Sequence, residues 1–254
     1  IEGVNYAAVS KISTGVYNLE CETAGTVGNQ YFGALLPINF VPGLSRAELG
    51  AVLVPGEDEE DDETLRQRFY EEISRPAFGG NVADYKQKVG AIDGVGGVKV
   101  FPAWQGGGTV KCTIIASDWS APSAQLVDGV QNLIDPPAAS GQGTGTAPIG
   151  HLVTIAGVQA VPVDVVATVT LADGVTVGQV QGPIEEAIGA YLLGLRKDWA
   201  AQTQLVVRVA LIEAAILAVP GVIDVAGTTL NGSAANVALG PEEIPALGTV
   251  TVDV

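Results

Sequence analysis

The sequence contains no methionine, only two cysteines and a single histidine. The two cysteines, Cys21 and Cys112, are too few for a disulfide framework, and this usage favours a reduced, intracellular origin. The histidine, His151, has no cysteine or second histidine near it in the sequence, so neither a zinc site nor a Ser-His-Asp triad is indicated. Because even position 1 is not methionine, we expect the chain to be a fragment or a processed product.

Charge is also scarce, and it is mostly of one sign. Only 16% of the residues are charged, and 28 Asp and Glu stand against 12 Lys and Arg, which gives a net charge of −16. This excess argues against a nucleic-acid backbone or an anionic membrane as a partner, and we interpret it as a solvated acidic surface. No apolar run approaches the ~18 residues needed to span a bilayer, and no signal peptide is visible.

The stretch from Gly56 to Pro102 shows the clearest local organisation. An acidic run, Glu57–Glu63, precedes apolar residues that recur at every fourth position and therefore share one face of a helix. These residues are Leu65, Phe69 and Ile73. Pro76 moves Arg75 out of the α region and is expected to end this helix.

A second helix is predicted directly afterwards. Asn81 is placed to cap it, with Asp84 at the third helical position in a capping-box-like arrangement. Its predicted buried stripe consists of Val82, Tyr85, Val89 and Ile92. The helix leads through Gly94 into a strand. The whole stretch has the features of a joint between packed elements and none of a catalytic centre.

The residues on either side of this stretch are rich in β-strand patterns. Before it, Val9–Glu22 contains a turn at Thr14-Gly15 between β-branched segments, and Ala24–Asn29 is predicted to be a loop. After it, Val95–Pro102 and Thr109–Ala116 are predicted to pair as a hairpin. In the second of these strands, Val110, Cys112 and Ile114 alternate with polar residues, which is typical of a strand with one buried face.

A third helix and a loop complete the middle of the chain. Pro122 suits the first helical position, and Asp135-Pro136-Pro137 ends the helix. Its predicted apolar stripe is Leu126, Val130, Leu133 and Ile134. Ala138–Gly150 is rich in Gly, Ser and Thr, which predicts a linker or exposed loop and, with Pro55-Gly56, a candidate hinge. A strand is predicted at His151–Ile155.

The C-terminal part alternates strands, helices and turns. Val161–Leu171 is a predicted strand, and Thr249–Val254 is a closing strand with Val250, Val252 and Val254 inward. Two helices lie between them. The predicted apolar face of the first is Val180, Ile184, Ile188, Tyr191 and Leu195. That of the second, ended by Pro220-Gly221, is Leu205, Val209, Ile212, Ile216 and Val219. Short strands are predicted at Val222–Ala226 and Asn236–Leu239.

One internal similarity suggests how the chain is built. Val89–Val98 and Ile216–Val225 both run from a helix through Gly-Val into a strand, which suggests two α+β units on one plan. We predict an α+β fold with an incomplete, β-rich N-terminal domain that ends in a helix (1–78), a middle α+β domain (79–157) and a C-terminal α+β domain (158–254). In each α+β domain, helices are expected to pack on one face of a small, mostly antiparallel sheet.

Several patterns that could carry chemistry have simpler structural interpretations. The acidic run lacks the alternating spacing of a Ca²⁺ loop, so we interpret it as a solvated helix start. Gly141-x-Gly143-x-Gly145 lacks the lysine and the following helix of a phosphate-binding loop. Asn231-Gly232-Ser233 matches a glycosylation sequon, but Asn-Gly is first a hairpin turn signal.

The aromatic and histidine residues do not add a site. The three tryptophans, Trp104, Trp119 and Trp199, lack the basic neighbours of a base-stacking platform and are candidate interface anchors. We interpret His151 as an ordinary surface or edge residue. The sequence therefore predicts no catalytic residue, no metal ligand and no cofactor.

Several of these segments, taken in order, resemble the baseplate J-like family. The N-terminal matches are A-G-x-x-G-N at 24–29, the acidic run with Leu65-Arg66-Gln67-Arg68, Gly80-Asn81, Asp84-Tyr85, Gly94-Val95 and V-x-V-x-P at 98–102. The later matches are V-Q-x-x-I-D-P at 130–136, A-P-I-G at 147–150, L-N-G at 230–232, Asn236-Val237 and E-I-P-x-L-G at 243–248. Because the family has further sequence upstream, the resemblance implies that the chain starts inside its first domain.

The resemblance implies a structural, non-enzymatic role. Members of this family are wedge proteins of contractile phage tails and related injection systems, including those of prophages and bacteriocins. Their wedges form a ring round the spike hub that rearranges when the sheath contracts. We therefore expect the chain to pair with a second copy of itself and with other baseplate wedge and tail proteins. We expect it in the virion tail baseplate, assembled in the bacterial host cytoplasm, and we expect the isolated fragment to be monomeric.

The alternative is a tail-borne or extracellular module that binds or cleaves carbohydrate. Acidic chains that are rich in Gly and Thr and poor in Lys occur in that class, and paired carboxylates cleave glycosidic bonds. Two carboxylates that face each other in a cleft lined by Trp or Tyr would favour this alternative over the structural role.

Overall fold

The computed structural model describes residues 4–74 and 77–254, which pack into two compact units. The first unit contains the described residues up to Asp118 together with Pro122–Ala156, and the second contains Trp119–Ala121 together with Gly157–Val254. Helices and mostly antiparallel strand pairs occur in both units, so the predicted α+β class is confirmed. The predicted helix end at Arg75-Pro76 lies outside the described residues.

The N-terminal part of the first unit consists of short strands. Strands β1 (Tyr6–Ser13) and β2 (Val16–Cys21) pair antiparallel as the predicted hairpin. Strands β3 (Gly33–Leu35) and β4 (Ala47–Leu49) form a second antiparallel pair. Between the pairs, Thr26–Gln30 is a 3-10 helix and not the predicted loop. The distant residue Asp58 accepts the Thr26 N–H at the start of this turn, and that contact could not be read from local sequence.

The two predicted helices around the chain's central stretch both form. Helix α1 covers Asp62–Ser74, and the Asp61 carboxylate caps it by accepting the N–H groups of Glu63 (3.0 Å) and Thr64 (2.9 Å). Helix α2 covers Val82–Gly90. Its cap is the predicted one, because Asn81 Oδ1 accepts the Asp84 N–H at 2.7 Å while Asp84 Oδ2 accepts the Gly80 N–H at 3.0 Å.

The core of the first unit lies between one three-stranded sheet and two helices. Strands β5 (Val95–Pro102), β6 (Thr109–Ala116) and β7 (Leu152–Gly157) lie in that order, with β5 antiparallel to β6 as predicted. Helix α3 (Ala124–Ile134) connects β6 to β7. The buried residues of this core include Tyr85, Val89, Cys112, Val130 and Ile155.

Three details of the first unit differ from the prediction. Ser123, not Pro122, starts α3, because its hydroxyl accepts the Leu126 N–H and also donates to the Leu53 carbonyl. Leu133 is exposed, since the buried stripe of α3 is centred on Val130 and Leu133 lies at its margin. In α2, Val82 in the first turn is likewise exposed, while Ile92 follows the helix and is only partly buried.

Strand β6 is buried on both faces and not on one. The predicted residues Val110, Cys112 and Ile114 are buried, but Thr113 and Ile115 on the opposite face are also fully buried. From Cys112 onwards every residue of β6 is buried, so no position there faces water and requires a polar side chain. The alternation of apolar and polar residues therefore stops after Thr113.

The second unit is built round a long central strand. Strand β8 (Gln159–Leu171) lies between β10 (Val222–Leu230) and β12 (Glu243–Asp253), antiparallel to the first and parallel to the second. Helices α4 (Val177–Lys197) and α5 (Val209–Leu217) supply the buried residues that pack with this sheet in one core. Strands β9 (Val206–Val207) and β11 (Val237–Ala238) form a small antiparallel pair.

The second unit also differs from the prediction in detail. In α4, Leu192 is fully buried, whereas Tyr191 and Leu195 are only partly buried. Leu205 and Val219 are buried as predicted but flank α5 instead of belonging to it. Strand β12 begins six residues earlier than predicted, because it gains its partner by parallel pairing with the distant β8, which local sequence does not indicate. Val254, predicted inward, follows the strand and is exposed.

The two predicted helix–glycine–strand segments share one geometry. Helices α2 and α5 each have nine residues, and each is followed after three residues by a glycine with positive φ, 86° at Gly94 and 96° at Gly221. In both segments the residue after the helix donates its N–H to a carbonyl four residues earlier, from Ala91 to Gln87 and from Ala218 to Ala214. The common local plan that the sequence indicated is therefore present in both units.

Candidate interaction site

A side-chain clasp joins the A-G-x-x-G-N segment to the start of the acidic run. The Asn29 amide donates to the Gly56 carbonyl at 2.9 Å and accepts the Gly56 N–H at 2.8 Å. A Cβ on Gly56 would lie 2.4 Å from the Gly25 carbonyl oxygen, so the two segments are in close contact. Because both the nitrogen and the oxygen of the Asn29 side chain bond to the backbone of Gly56, the segment at 24–29 is held beside the start of the acidic run. These bonds count against the hypothesis that Pro55-Gly56 is a hinge.

The acidic run is exposed and leads into α1, as the interpretation of a solvated helix start predicted, and its first residues also make contacts with distant segments. The Asp58 carboxylate accepts both the Thr26 N–H (2.8 Å) and the Thr26 hydroxyl (2.7 Å), and these bonds lower the pKa of Asp58. The Glu57 carboxylate accepts the Gly94 N–H at 2.8 Å. Because Thr26 and Gly94 are far apart in the sequence, these carboxylates tie the N-terminal strands to the junction between α2 and β5.

Helix α1 presents an apolar face that is mostly uncovered. Leu65, Phe69 and Ile73 are 48%, 57% and 63% exposed, although their spacing is that of a helix face which normally packs. An open groove of about 440 Å³ on this helix is lined by Asp62, Leu65, Arg66 and Phe69. Such a surface offers apolar contact area beside one carboxylate and one guanidinium. A surface of this kind suits binding to another protein surface.

The segment between β3 and β4 exposes further large apolar side chains. Leu36, Ile38 and Phe40 are exposed by 89%, 77% and 89%. The buried core of this unit, in contrast, consists of residues from Tyr85 to Ile155. The described residues before α2 are thus held by polar contacts, and many of their apolar side chains face outward.

The loop Ala138–Gly150 is ordered by a buried carboxylate. Asp135 is 2% exposed and accepts the Ser140 hydroxyl (2.5 Å), the Gly141 N–H (2.9 Å) and the Val153 N–H (2.9 Å). A Cβ on Gly145 would lie 2.4 Å from the Ile134 carbonyl oxygen. The small residues of this loop allow close backbone packing within the first unit. Most of the segment is exposed, as predicted for an exposed loop, and it lies within one unit and does not link the two. The Asp135 bonds count against a hinge at this place.

His151 is partly exposed and directly precedes β7, which agrees with the predicted surface or edge position, but it also has a specific partner that the sequence did not indicate. Its Nδ1 lies 2.7 Å from the hydroxyl of Tyr85, and the two rings stack at a centroid distance of 6.0 Å. Tyr85 is 1% exposed, and its burial raises the pKa of its hydroxyl. A buried tyrosine needs a hydrogen-bond partner for its hydroxyl. The predicted burial of Tyr85 could therefore have indicated that a polar residue packs against α2.

The tryptophans and cysteines separate into buried and accessible residues. Trp199 is fully buried and donates its indole N–H to the Pro241 carbonyl at 3.1 Å, so it is not an interface anchor. Trp104 is 39% exposed and lies under the Lys111 ammonium at 5.2 Å, so it stays a candidate anchor. Cys112 is buried as predicted, and its burial raises the pKa of its thiol to about 12.

Neither a metal site nor a membrane helix is found in the residues that the structure describes. Across 4–74 and 77–254, no group of three or more His, Cys, Asp or Glu side chains is arranged to hold a metal ion. In the same ranges, no helix is both long and apolar enough to cross a bilayer. Among the described residues, the lining of the α1 groove consists of Asp62, Leu65, Arg66 and Phe69 and does not contain the facing carboxylates with Trp or Tyr that would favour the carbohydrate alternative.

Comparison with known proteins shows the family of the chain. The model of the baseplate J-like central domain matches residues 77–157. The model of the baseplate J-like protein C-terminal domain matches residues 163–253. Together the two matches cover more than half of the chain, which therefore belongs to the baseplate J-like family, as its motifs predicted.

Two relatives come from Bacillus subtilis (strain 168). The uncharacterized protein YqbT is 39% identical over 236 residues, and the phage-like element PBSX protein XkdT is 35% identical over 236 residues. Both alignments cover 92% of this chain but 66% of the relative, so the chain spans about two thirds of the length of these proteins.

A solved structure has a similar fold. A chain in the cryo-EM structure of the anti-feeding prophage baseplate matches with a TM-score of 0.50 and 10% identity. The match covers 99% of this chain and 60% of that one. At this level of identity the likeness concerns the fold alone.

Proposed function

We propose that the chain belongs to a wedge component of the baseplate of a contractile tail or phage-tail-like particle, where it acts through protein–protein interfaces. The observation that carries this proposal is the presence of the central and C-terminal baseplate J-like domains, in that order, within residues 77–253. The names of XkdT and of the anti-feeding prophage baseplate support the same setting.

The surface chemistry of the first unit supports a role in assembly. Exposure of apolar side chains to water is unfavourable in free energy, and their burial against another protein is favourable. This applies to the apolar face of α1 and to the exposed residues of the β3–β4 segment. The partners we propose are other baseplate wedge and tail proteins and a second copy of the protein. We propose assembly in the host cytoplasm and no enzymatic activity of the chain itself.

We also propose a division of the chain into three parts, 1–78, 79–157 and 158–254. The family matches at 77–157 and 163–253 support the second and third parts. The first part lies almost wholly before these matches, and Glu57 links it to the second part by accepting the Gly94 N–H.

Deletion of the gene for the full-length protein in a strain that produces the particle tests this function. We expect electron microscopy to show sheath and tube material without complete baseplates, and a plasmid-borne copy to restore them. Intact, active particles in the deletion strain would overturn the proposed function.

A further inference from the structure

Asn231 and Gly232 form the tip of a tight turn at the end of β10. Leu230 and Ser233 exchange both backbone hydrogen bonds, at 2.8 Å and 3.0 Å. The φ angles of Asn231 and Gly232 are 49° and 76°, a combination that Asn-Gly adopts more readily than other pairs. This is the only Asn-Gly pair in the sequence.

The side chain of Asn231 ties this turn to β8. Its Oδ1 accepts the Asp164 N–H at 2.7 Å, and its Nδ2 donates to the Pro162 carbonyl at 3.3 Å. The Asn231 N–H in turn bonds to the Asp164 carbonyl at 2.9 Å. The side-chain amide of Asn231 therefore acts as a donor and as an acceptor at once, which an ionised aspartate in its place could not do.

The same contact extends to β12. Asp164 Oδ1 accepts the Thr249 N–H at 2.8 Å, at the point where the register between β8 and β12 shifts. A Cβ on Gly248 would lie 2.3 Å from this oxygen and 3.0 Å from the Asp164 nitrogen. Asn231 and Asp164 thus connect all three strands of the sheet, and this set of contacts is called the Asn231 lock below.

An asparagine that precedes glycine has a specific chemical weakness. The glycine backbone nitrogen, unhindered by a side chain, attacks the asparagine Cγ and expels ammonia, which gives a five-membered succinimide. Water then opens the ring to an aspartate or to an isoaspartate linked through its side chain. In the folded sheet this attack requires the amide to rotate away from Asp164 and Pro162, so it breaks both side-chain bonds of the Asn231 lock.

We propose that Asn231 is a deamidation site that the folded sheet protects, and that the reaction proceeds when the Asn231 lock opens. When the product is aspartate, an oxygen replaces the Nδ2 donor and faces the Pro162 carbonyl; when it is isoaspartate, the backbone of the turn itself is rerouted. In the aspartate product two acceptors then oppose each other where a hydrogen bond was, so the modified sheet does not regain its original stability. Because the turn is exposed, hydrogen bonding and not burial supplies the protection.

The rate of deamidation in folded and denatured protein tests the proposal. The purified chain is incubated at mildly alkaline pH with and without denaturant, and peptide mass spectrometry that distinguishes isoaspartate follows residue 231. We expect the folded chain to react at least about tenfold more slowly, the factor that corresponds to an opening free energy of ~1.4 kcal/mol. Equal rates in the two conditions would overturn the proposal.

Two pairs of variants separate the Asn231 lock from general stability. Gly248→Ala should displace Asp164 and raise the rate in folded protein severalfold, whereas Gly189→Ala in α4, with open space round its Cβ, should not. Asn231→Asp should lower the denaturation midpoint. Asn236→Asp should not, because Asn236 only accepts the Val209 N–H and aspartate keeps that acceptor. Unchanged rates in Gly248→Ala, or equal midpoints in the two aspartate variants, would contradict the proposal.

Discussion

At the scale of single residues, the N-terminal part of the first unit depends on side-chain to backbone bonds. Its described residues contribute none of the side chains in that unit's buried core, which begins at Tyr85. Asn29, Asp58 and Glu57 instead satisfy the backbone groups of Gly56, Thr26 and Gly94. The strength of each of these bonds can be measured by removing one donor or acceptor.

Replacement of Asn29 by aspartate should loosen this clasp. The new oxygen would face the Gly56 carbonyl in place of the Nδ2 donor, and we expect a loss of about 1–3 kcal/mol in the opening free energy of this region. Hydrogen exchange at the Gly56 and Thr26 amides measures the loss. Asn132→Asp is the control, because Asn132 makes only an exposed bond within α3. Equal exchange in both variants would show that the clasp has no energetic role.

The buried thiol of Cys112 makes stability depend on pH in the alkaline range. Its pKa is raised from 9.0 to about 12 by burial, so above pH 9 the unfolded chain loses a proton that the folded chain keeps. The unfolded state then binds fewer protons, and the free energy of unfolding falls as pH rises, by up to about 1.4 kcal/mol per pH unit. Below pH 9 the thiol contributes no slope.

Denaturation of the natural chain and of Cys112→Ala between pH 8 and pH 11 measures this effect, over a window about the ordinary thiol pKa. The other titratable groups are common to both proteins, so the difference between the two curves reports chiefly on the thiol, together with its effect on Tyr85. We expect the two free energies to converge as pH rises. A constant difference across the range would contradict the buried, neutral thiol.

At the scale of elements, both units use a glycine with positive φ to connect a helix to the strand that follows it. Gly94 has φ 86°, and a Cβ there would lie 2.7 Å from Val54 Cγ1. We expect Gly94→Ala to cost about 2–5 kcal/mol, from the left-handed backbone and from overpacking together. Urea denaturation measures the cost. Gly129→Ala in α3, with open space and ordinary backbone, should instead stabilise by ~0.5–1 kcal/mol. Similar effects of both would contradict this role.

The elements that sequence predicted well are those with local signals. The boundaries of α2, β5 and β6 follow from the Asn81 cap, the Gly94 turn and the alternation of β6. The errors concern partners that are distant in the sequence. The parallel pairing of β12 with β8, and the Asp135 bonds that order Ala138–Gly150, both depend on contacts that local patterns do not encode.

The candidate surface shows the same limit. The spacing of Leu65, Phe69 and Ile73 predicted an apolar helix face, but the sequence could not show that this face is mostly uncovered in the fold. It gave no sign of the Tyr85–His151 pair beyond the need of a buried hydroxyl for a partner. Family motifs, in contrast, predicted the family correctly because their order spans the whole chain.

At the scale of the whole molecule, we expect substitutions on the exposed face of α1 to impair assembly without lowering the stability of the chain. Leu65→Asn with Phe69→Asn replaces two exposed side chains, so each should change the free energy of unfolding by less than about 0.5 kcal/mol. In the full-length protein we expect the same pair to reduce incorporation into particles severalfold. Mass spectrometry of purified particles, together with denaturation of the isolated protein, measures both.

The matched control is Leu133→Asn, which replaces a leucine of α3 that is 55% exposed and lies outside α1. It should leave both stability and incorporation near those of the natural protein. Natural levels of incorporation for the α1 pair would show that this face is not used in assembly. A large loss of stability would show instead that the face is packed within the chain.

The central claim is that this chain is part of a structural subunit of a baseplate. Cryo-EM of purified particles that contain the full-length protein tests it most directly. We predict density for the β5-β6-β7 and β10-β8-β12 sheets in a ring at the base of the tail, round the spike. Complete baseplates from which the protein is absent would contradict the account.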